Sequence, residues 1–129
     1  MQALRIVSIE DEIDMIDLIR LILIRRGYEV IGAQGGREGL RIVQEQKPDL
    51  ILLDLMMPDI DGWEVYTQLK ADPNTQMIPV LIVTARAQFK DRLVLVRQSG
   101  LDDYVIKPFG PGQLVDSVER LLAHQPGGD

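Results

Sequence analysis

Residues 49–62 read DLILLDLMMPDIDG. Leu50, Ile51, Leu52 and Leu53 form an unbroken apolar run, Asp54 follows it, and Leu55, Met56 and Met57 continue beyond. A strand that is apolar on both faces belongs in the centre of a parallel sheet covered by helices. Pro58, Asp59, Asp61 and Gly62 then mark a loop. The reading places the Asp54 carboxylate at the carboxyl end of a central strand, partly shielded from water.

Outward from this stretch, strand and helix patterns alternate. LRIVSI (Leu4 to Ile9) is a short buried strand. Ile13 to Arg26 carries Ile16, Leu18, Ile19, Ile22 and Leu23 at helical spacing, and Gly27 stops it as a left-handed residue. YEVIGA (Tyr28 to Ala33) is a second strand. Gly35 and Gly36 turn the chain into a helix with Leu40 and Val43 inward, which Pro48 and Asp49 end. Trp63 to Lys70 reads as a helix, IPVLIVT (Ile78 to Thr84) as a strand and Gln88 to Gln98 as a helix. DDYVIK (Asp102 to Lys107) is the last strand, and Pro111 fits the first turn of a helix running through Leu122. His124 to Asp129 reads as frayed.

Five βα units with right-handed crossovers imply an α/β, doubly wound, five-stranded parallel sheet of order 2-1-3-4-5. Such sheets bind ligands at the carboxyl ends of their strands. Glu10, Asp11, Asp54, Thr84 and Lys107 all fall at that edge. The 129 residues, 46% hydrophobic and 26% charged, suit one domain with a real core. We expect that domain over residues 1–124, with 125–129 a disordered tail or the start of a linker.

Composition excludes several function classes. The formal charge is -6, from 20 acidic and 14 basic residues, and no basic cluster exceeds Arg25-Arg26. Direct nucleic-acid binding is therefore not expected. Cysteine is absent, which removes disulfides, thiolate chemistry and cysteine zinc sites and suits a reducing cytoplasm. MQALRIVSIEDE meets acidic residues too early for a signal peptide. No apolar run is long enough to span a membrane.

Taken singly, the edge residues have ordinary readings. Glu10-Asp11-Glu12 can be a solvated loop, Thr84 a plain strand residue, and Lys107 a lysine snorkelling to solvent. Taken together, three carboxylates a few Å apart raise one another's pKa unless something positive intervenes. Mg²⁺ suits such oxygen ligands; zinc does not fit a chain without cysteine whose one histidine, His124, lies near the frayed end. Lys107 can pair with a carboxylate or a phosphoryl oxygen, and the Thr84 hydroxyl can donate to one. A cis Lys107-Pro108 bond would aim the ammonium into the cleft.

IEDE (Ile9 to Glu12), LLDLMMPDIDG (Leu52 to Gly62), Thr84-Ala85 and DDYVIKPF (Asp102 to Phe109) stand in an order and spacing that cover nearly the whole chain. On these motifs the chain resembles the receiver domains of two-component response regulators, chemotaxis-regulator-like and of flavodoxin-like (βα)5 fold. The resemblance implies that Asp54 is the phosphoacceptor. It implies that Glu10, Asp11, Asp54 and the Met56 backbone carbonyl hold Mg²⁺, with Mn²⁺ able to take its place. Thr84 would bind a phosphoryl oxygen, Lys107 would pair with the phosphoryl group through a cis bond to Pro108, and Tyr104 would turn inward on activation. Ser8 in the usually apolar first strand and Leu101 in place of a small alanine depart from the family pattern, without removing a reactive group.

The function expected on this basis is a cytoplasmic, phosphorylation-dependent switch. Its partners would be a sensor histidine kinase or histidine phosphotransfer protein, and a downstream target or output domain. Arg86 would influence the rate of slow self-dephosphorylation. Leu93, Val94, Leu95 and Val96 are consecutive on one helix, so Val94 or Leu95 can belong to a docking or homodimer surface built from the fourth helix, fifth strand and fifth helix. A small Mg²⁺-dependent phosphatase using an aspartyl-phosphate is the competing class, although no cap shapes a substrate pocket and no general acid stands near Asp54. A flavodoxin-like cofactor binder is disfavoured, because acidic IEDEID follows the first strand where a phosphate cradle would be needed. Pro126-Gly127-Gly128 would suit a linker, either to an output domain or closing a single-domain regulator.

Overall fold

The computed structural model describes residues 3–85 and 90–123. Arg86 and the segment from His124 to Asp129, with its linker-like Pro126-Gly127-Gly128, lie outside the described residues, as do the first two residues of the helix expected from Gln88. In chain order the elements are β1 (Arg5–Ile9), α1 (Ile13–Ile24), β2 (Glu29–Ala33), α2 (Gly36–Gln46), β3 (Leu50–Asp54), α3 (Gly62–Ala71), β4 (Val80–Thr84), α4 (Lys90–Gln98), β5 (Asp103–Ile106) and α5 (Pro111–Ala123). The sheet is five-stranded and parallel, in the order β2-β1-β3-β4-β5.

β3 is central because each of its five residues is buried. Alternation along the strands divides the core in two. Val7, Ile9, Ile51, Leu53, Val80 and Ile82 pack beneath Val43, Trp63, Val65, Leu69, Leu93 and Val96 of α2, α3 and α4. Ile6, Leu50, Leu52, Leu81, Val83 and Val105 pack beneath Ile19, Leu23, Leu114, Val118 and Leu121 of α1 and α5. Each fully buried aliphatic side chain contributes roughly 1.5–3 kcal/mol of apolar transfer. Ser8 falls within this interior, and its Oγ has no hydrogen-bond partner. A buried hydroxyl in that condition costs stability of order 1 kcal/mol.

The helix ends show how the loops are fixed. α1 closes on Gly27, whose φ of 90° an L side chain rarely adopts, and the Gly27 and Tyr28 amides donate to the Ile24 and Leu23 carbonyls. At the start of α2, the Asp59 carboxylate accepts from the Gly36 and Arg37 amides, at 3.1 Å each. The loop after β3 thereby caps the neighbouring helix. Asp61 caps α3 by accepting from the Trp63 amide at 2.9 Å.

α1 departs from expectation in one respect. Ile16, Ile19 and Leu23 are buried and Ile22 is half-buried, but Leu18 is exposed, as are Ile13, Leu21 and Ile24. Nearly every position in α1 that is not acidic is apolar, so periodicity alone assigned Leu18 to the wrong face. On α4, Leu93 and Val96 are buried while Val94 and Leu95 point to solvent. Among the described residues, no helix is long and apolar enough to cross a membrane.

Candidate phosphoacceptor site

The alternation that builds the core also aims the site. Ser8, Leu52 and Val105 face α1 and α5, so Glu10, Asp54 and Lys107, two residues later on their strands, share that face at the carboxyl edge. Their backbones are tied in register. The Glu10 amide donates to the Ala33 carbonyl at 3.0 Å, and the Lys107 amide to the Thr84 carbonyl at 2.8 Å. The Lys107–Pro108 peptide is cis.

The Lys107 ammonium lies 3.0 Å from Glu10 Oε1 and 3.6 Å from Asp54 Oδ2. Asp54 Oδ1 accepts from the Met56 amide at 3.1 Å. Glu10 and Asp54 are almost wholly buried and Thr84 is fully buried, whereas Met56 is exposed. Asp11 is half-buried and Glu12 exposed beside them, and one carboxylate oxygen from each of Glu10, Asp11 and Glu12 falls within 4.8 Å of the others. Thr84 pairs in register with Ile106 and lies by alternation on the opposite face, the one that α3 and α4 cover, where the Tyr104 ring also packs.

The electrostatics follow from Lys107 serving several anions. Burial, then the neighbouring Asp54 carboxylate, pushes the Glu10 carboxyl up to about 8, and Lys107 offsets this only in part. Burial works against the Lys107 ammonium, but Glu10, Asp54 and Glu12 outweigh it and raise its pKa above the ordinary value. Among the described residues, the site is short of positive charge. A small oxygen-seeking divalent cation answers that deficit, and the donors that cluster there are carboxylate oxygens, so the residues present fit Mg²⁺.

Linkage gives this a testable form. A carboxyl raised from 4.5 to about 8 contributes stability that is fully present below pH 4.5 and is lost as pH rises through about 8. With a chelator present, wild type is expected to lose stability relative to Glu10→Gln across that window. Urea denaturation of both proteins from pH 5 to 9 measures it, and a constant difference would contradict the assignment.

Sequence reasoning placed Glu10, Asp11, Asp54, Thr84 and Lys107 at one edge; Glu10, Asp54 and Lys107 meet there with Asp11 beside Glu10, whereas Thr84 lies on the opposite face of the sheet. That reasoning missed Asp59, which holds α2 from the loop after Asp54, and Asp102, which binds three elements at the far edge. It also missed the Arg97–Asp103–Arg120 cluster beside Tyr104. Arg97 Nε donates to Asp103 Oδ1 and Arg120 to Asp103 Oδ2, both at 2.6 Å. The only available signals were the paired acids in LDDY and the arginines six residues before and seventeen after Asp103, too far apart in sequence to connect.

A family model described as response regulator receiver domain matches residues 6–119. The chain is 40% identical over 118 residues to the alkaline phosphatase synthesis transcriptional regulatory protein PhoP of Bacillus subtilis, covering 92% of this chain and 48% of that protein. It spans about half the length of the curated relatives it matches. Among solved structures, a putative response regulator from Chloroflexus aurantiacus superposes with a TM-score of 0.85 at 29% identity, over 95% of this chain and 100% of that one. Response regulator protein TrrA of Thermotoga maritima, solved in complex with Mg²⁺-BeF, superposes with a TM-score of 0.80 at 29% identity, over 94% and 99% of the two chains. Sequence, strand order and a carboxylate edge facing Lys107 agree, and the chain belongs to the response regulator receiver domains, phosphorylation-dependent signalling switches.

Proposed function

We propose that this receiver takes a phosphoryl group on Asp54 from a phosphohistidine of a sensor kinase or histidine phosphotransfer protein. The observation that carries the reading is the Lys107 ammonium set against both Glu10 and Asp54 at the carboxyl edge of the sheet. An Asp54 oxygen attacks phosphorus, the bond from phosphorus to the donor nitrogen breaks, and the donor leaves with that electron pair. The product is an acyl phosphate. Lys107 stands where it offsets charge on the transferring oxygens, so the protein supplies position and electrostatics rather than a general base. Glu10, Asp11, Asp54 and the Met56 carbonyl would hold the metal. When bound, Mg²⁺ supplies charge neutralisation at the phosphoryl oxygens.

Thr84 then takes a phosphoryl oxygen through its hydroxyl, and Tyr104, on the same sheet face, moves into the space that Thr84 vacates. The α4–β5–α5 face changes with it and meets a downstream protein, an output domain or a second copy of the chain, with Val94 and Leu95 as exposed apolar contacts. The protein acts in the cytoplasm as a phosphoacceptor with slow self-dephosphorylation, not as a turnover enzyme.

Intact-mass measurement after incubation with a small phosphodonor tests the reading. One phosphoryl group is expected with Mg²⁺ or Mn²⁺ and none with chelator. Metal-independent labelling would overturn it, and so would rapid turnover of varied phosphate esters, which belongs to a phosphatase.

A further inference from the structure

Tyr104 pairs with Ile82 across the sheet and is half-buried against the α3–α4 side of the core. The Arg97 guanidinium, from the last turn of α4, covers its ring at 4.2 Å from the centroid. That guanidinium is not free to leave. Its Nε donates to Asp103 Oδ1, and Asp103 is only 6% exposed and further held by Arg120. Asp103 is the residue before Tyr104, so one short segment of β5 supplies both the ring under the guanidinium and the carboxylate that anchors it. One turn and a half earlier on α4, Arg92 lies 4.1 Å over the Trp63 ring of α3. Leu93 and Val96, between the two arginines, are buried. α4 is thus seated by two apolar side chains and by a guanidinium on an aromatic ring at each end.

We infer that Arg97 is a positioning residue that latches Tyr104 in the observed place and so opposes switching. The inference rests on the proposal that Tyr104 moves inward when Asp54 is loaded. For the ring to travel toward Thr84, the Arg97 stack has to separate. A ligand that favours the switched state must supply that free energy, so the latch weakens its apparent binding. A cation–π contact as exposed as this one corresponds to about a two- to fivefold change in the midpoint.

The test is a titration of the intact chain with beryllofluoride, a phosphoryl mimic, at fixed Mg²⁺. Fluorescence of Trp63, the single tryptophan, follows binding, and ¹⁹F NMR of fluorotyrosine-labelled protein follows the Tyr104 ring. Arg97→Met is expected to lower the midpoint about two- to fivefold. Arg97→Lys, which keeps the charge beside Asp103, is expected to fall between. In a Tyr104→Ala background, Arg97→Met is expected to change nothing. An unmoved midpoint in Arg97→Met, with wild type responding, overturns the latch alone. The same shift persisting without Tyr104 also overturns it, because Arg97 would then act through Asp103 or α4. No beryllofluoride response in wild type overturns the switching reading, and the latch with it.

Discussion

Asp54→Ala and Asp54→Asn are expected to accept no phosphoryl group under conditions that load wild type with one. The argument is geometric. Asp54 is the carboxylate that ends the central strand, with one oxygen held by the Met56 amide and the other 3.6 Å from the Lys107 ammonium. Glu10 lies closer to Lys107, but it shares that ammonium from a position whose burial favours its protonated, non-nucleophilic form. Asn keeps the shape of Asp and can still accept from the Met56 amide, so its failure would isolate the lost nucleophile from any change of fold. Lys107→Ala keeps the nucleophile and loses the charge, and is expected to slow loading by about a hundredfold without abolishing it. Intact mass with time decides among these. An adduct that persists in both Asp54 variants would place the acceptor elsewhere, and undiminished loading in Lys107→Ala would remove the ammonium from the chemistry.

The largest stability effect is expected far from that edge. Asp102, 2% exposed at its side chain, accepts from the Val80 amide at 2.8 Å, the Tyr66 hydroxyl at 2.7 Å and the Lys70 ammonium at 2.8 Å. It fastens α3 to the starts of β4 and β5. Burial, helped by Asp102, raises the Tyr66 pKa, and burial lowers that of Lys70 although Asp102 opposes it. Asp102→Ala would leave a buried amide and a hydroxyl without their acceptor, and would take the counter-charge from a mostly buried ammonium that keeps the Gln76 and Ile78 carbonyls. The expected loss is about 3–5 kcal/mol, the range for breaking one side of a buried pair. That is a large part of a total of roughly 5–15 kcal/mol for a domain. Urea denaturation measures it. A loss of about 1 kcal/mol, the worth of an ordinary hydrogen bond, would show that the amide and hydroxyl find other partners and that the carbonyls suffice for the ammonium. Phosphoryl loading of the folded fraction is expected to be unchanged, since Asp102 lies at the opposite end of the strands from Asp54.

The strands were legible because each is a short apolar or β-branched run closed by a polar residue, and in a parallel sheet those closing residues meet at one edge. Thus Glu10, Asp54, Thr84 and Lys107 could be placed before any coordinates. The strands are shorter than the apolar runs suggested, because Ile78 and Pro79 precede the ladder that begins at Val80, and Lys107 follows the last residue of β5. Periodicity assigns Leu18 to the covered face, yet it is exposed, since α1 carries apolar residues around most of its circumference and the sequence does not show which of them its neighbours cover. Asp102 and Asp103 look alike in sequence, yet one faces α3 and β4 while the other faces two arginines. Which way each points depends on where β5 begins, a matter of one residue that composition does not encode.

Gly62 opens α3 against the strand that carries Asp54. A Cβ there would overlap the Leu55 Cα and come within 2.8 Å of the Asp54 carbonyl oxygen. The chain doubles back at van der Waals contact, and Asp59 staples the same loop to α2. The loop after β3 is therefore held on two sides, against its own strand and against the start of α2. Any side chain at residue 62 would have to displace the backbone that carries Asp54, so the aim of that carboxylate depends on a hydrogen atom standing where every other residue has a carbon.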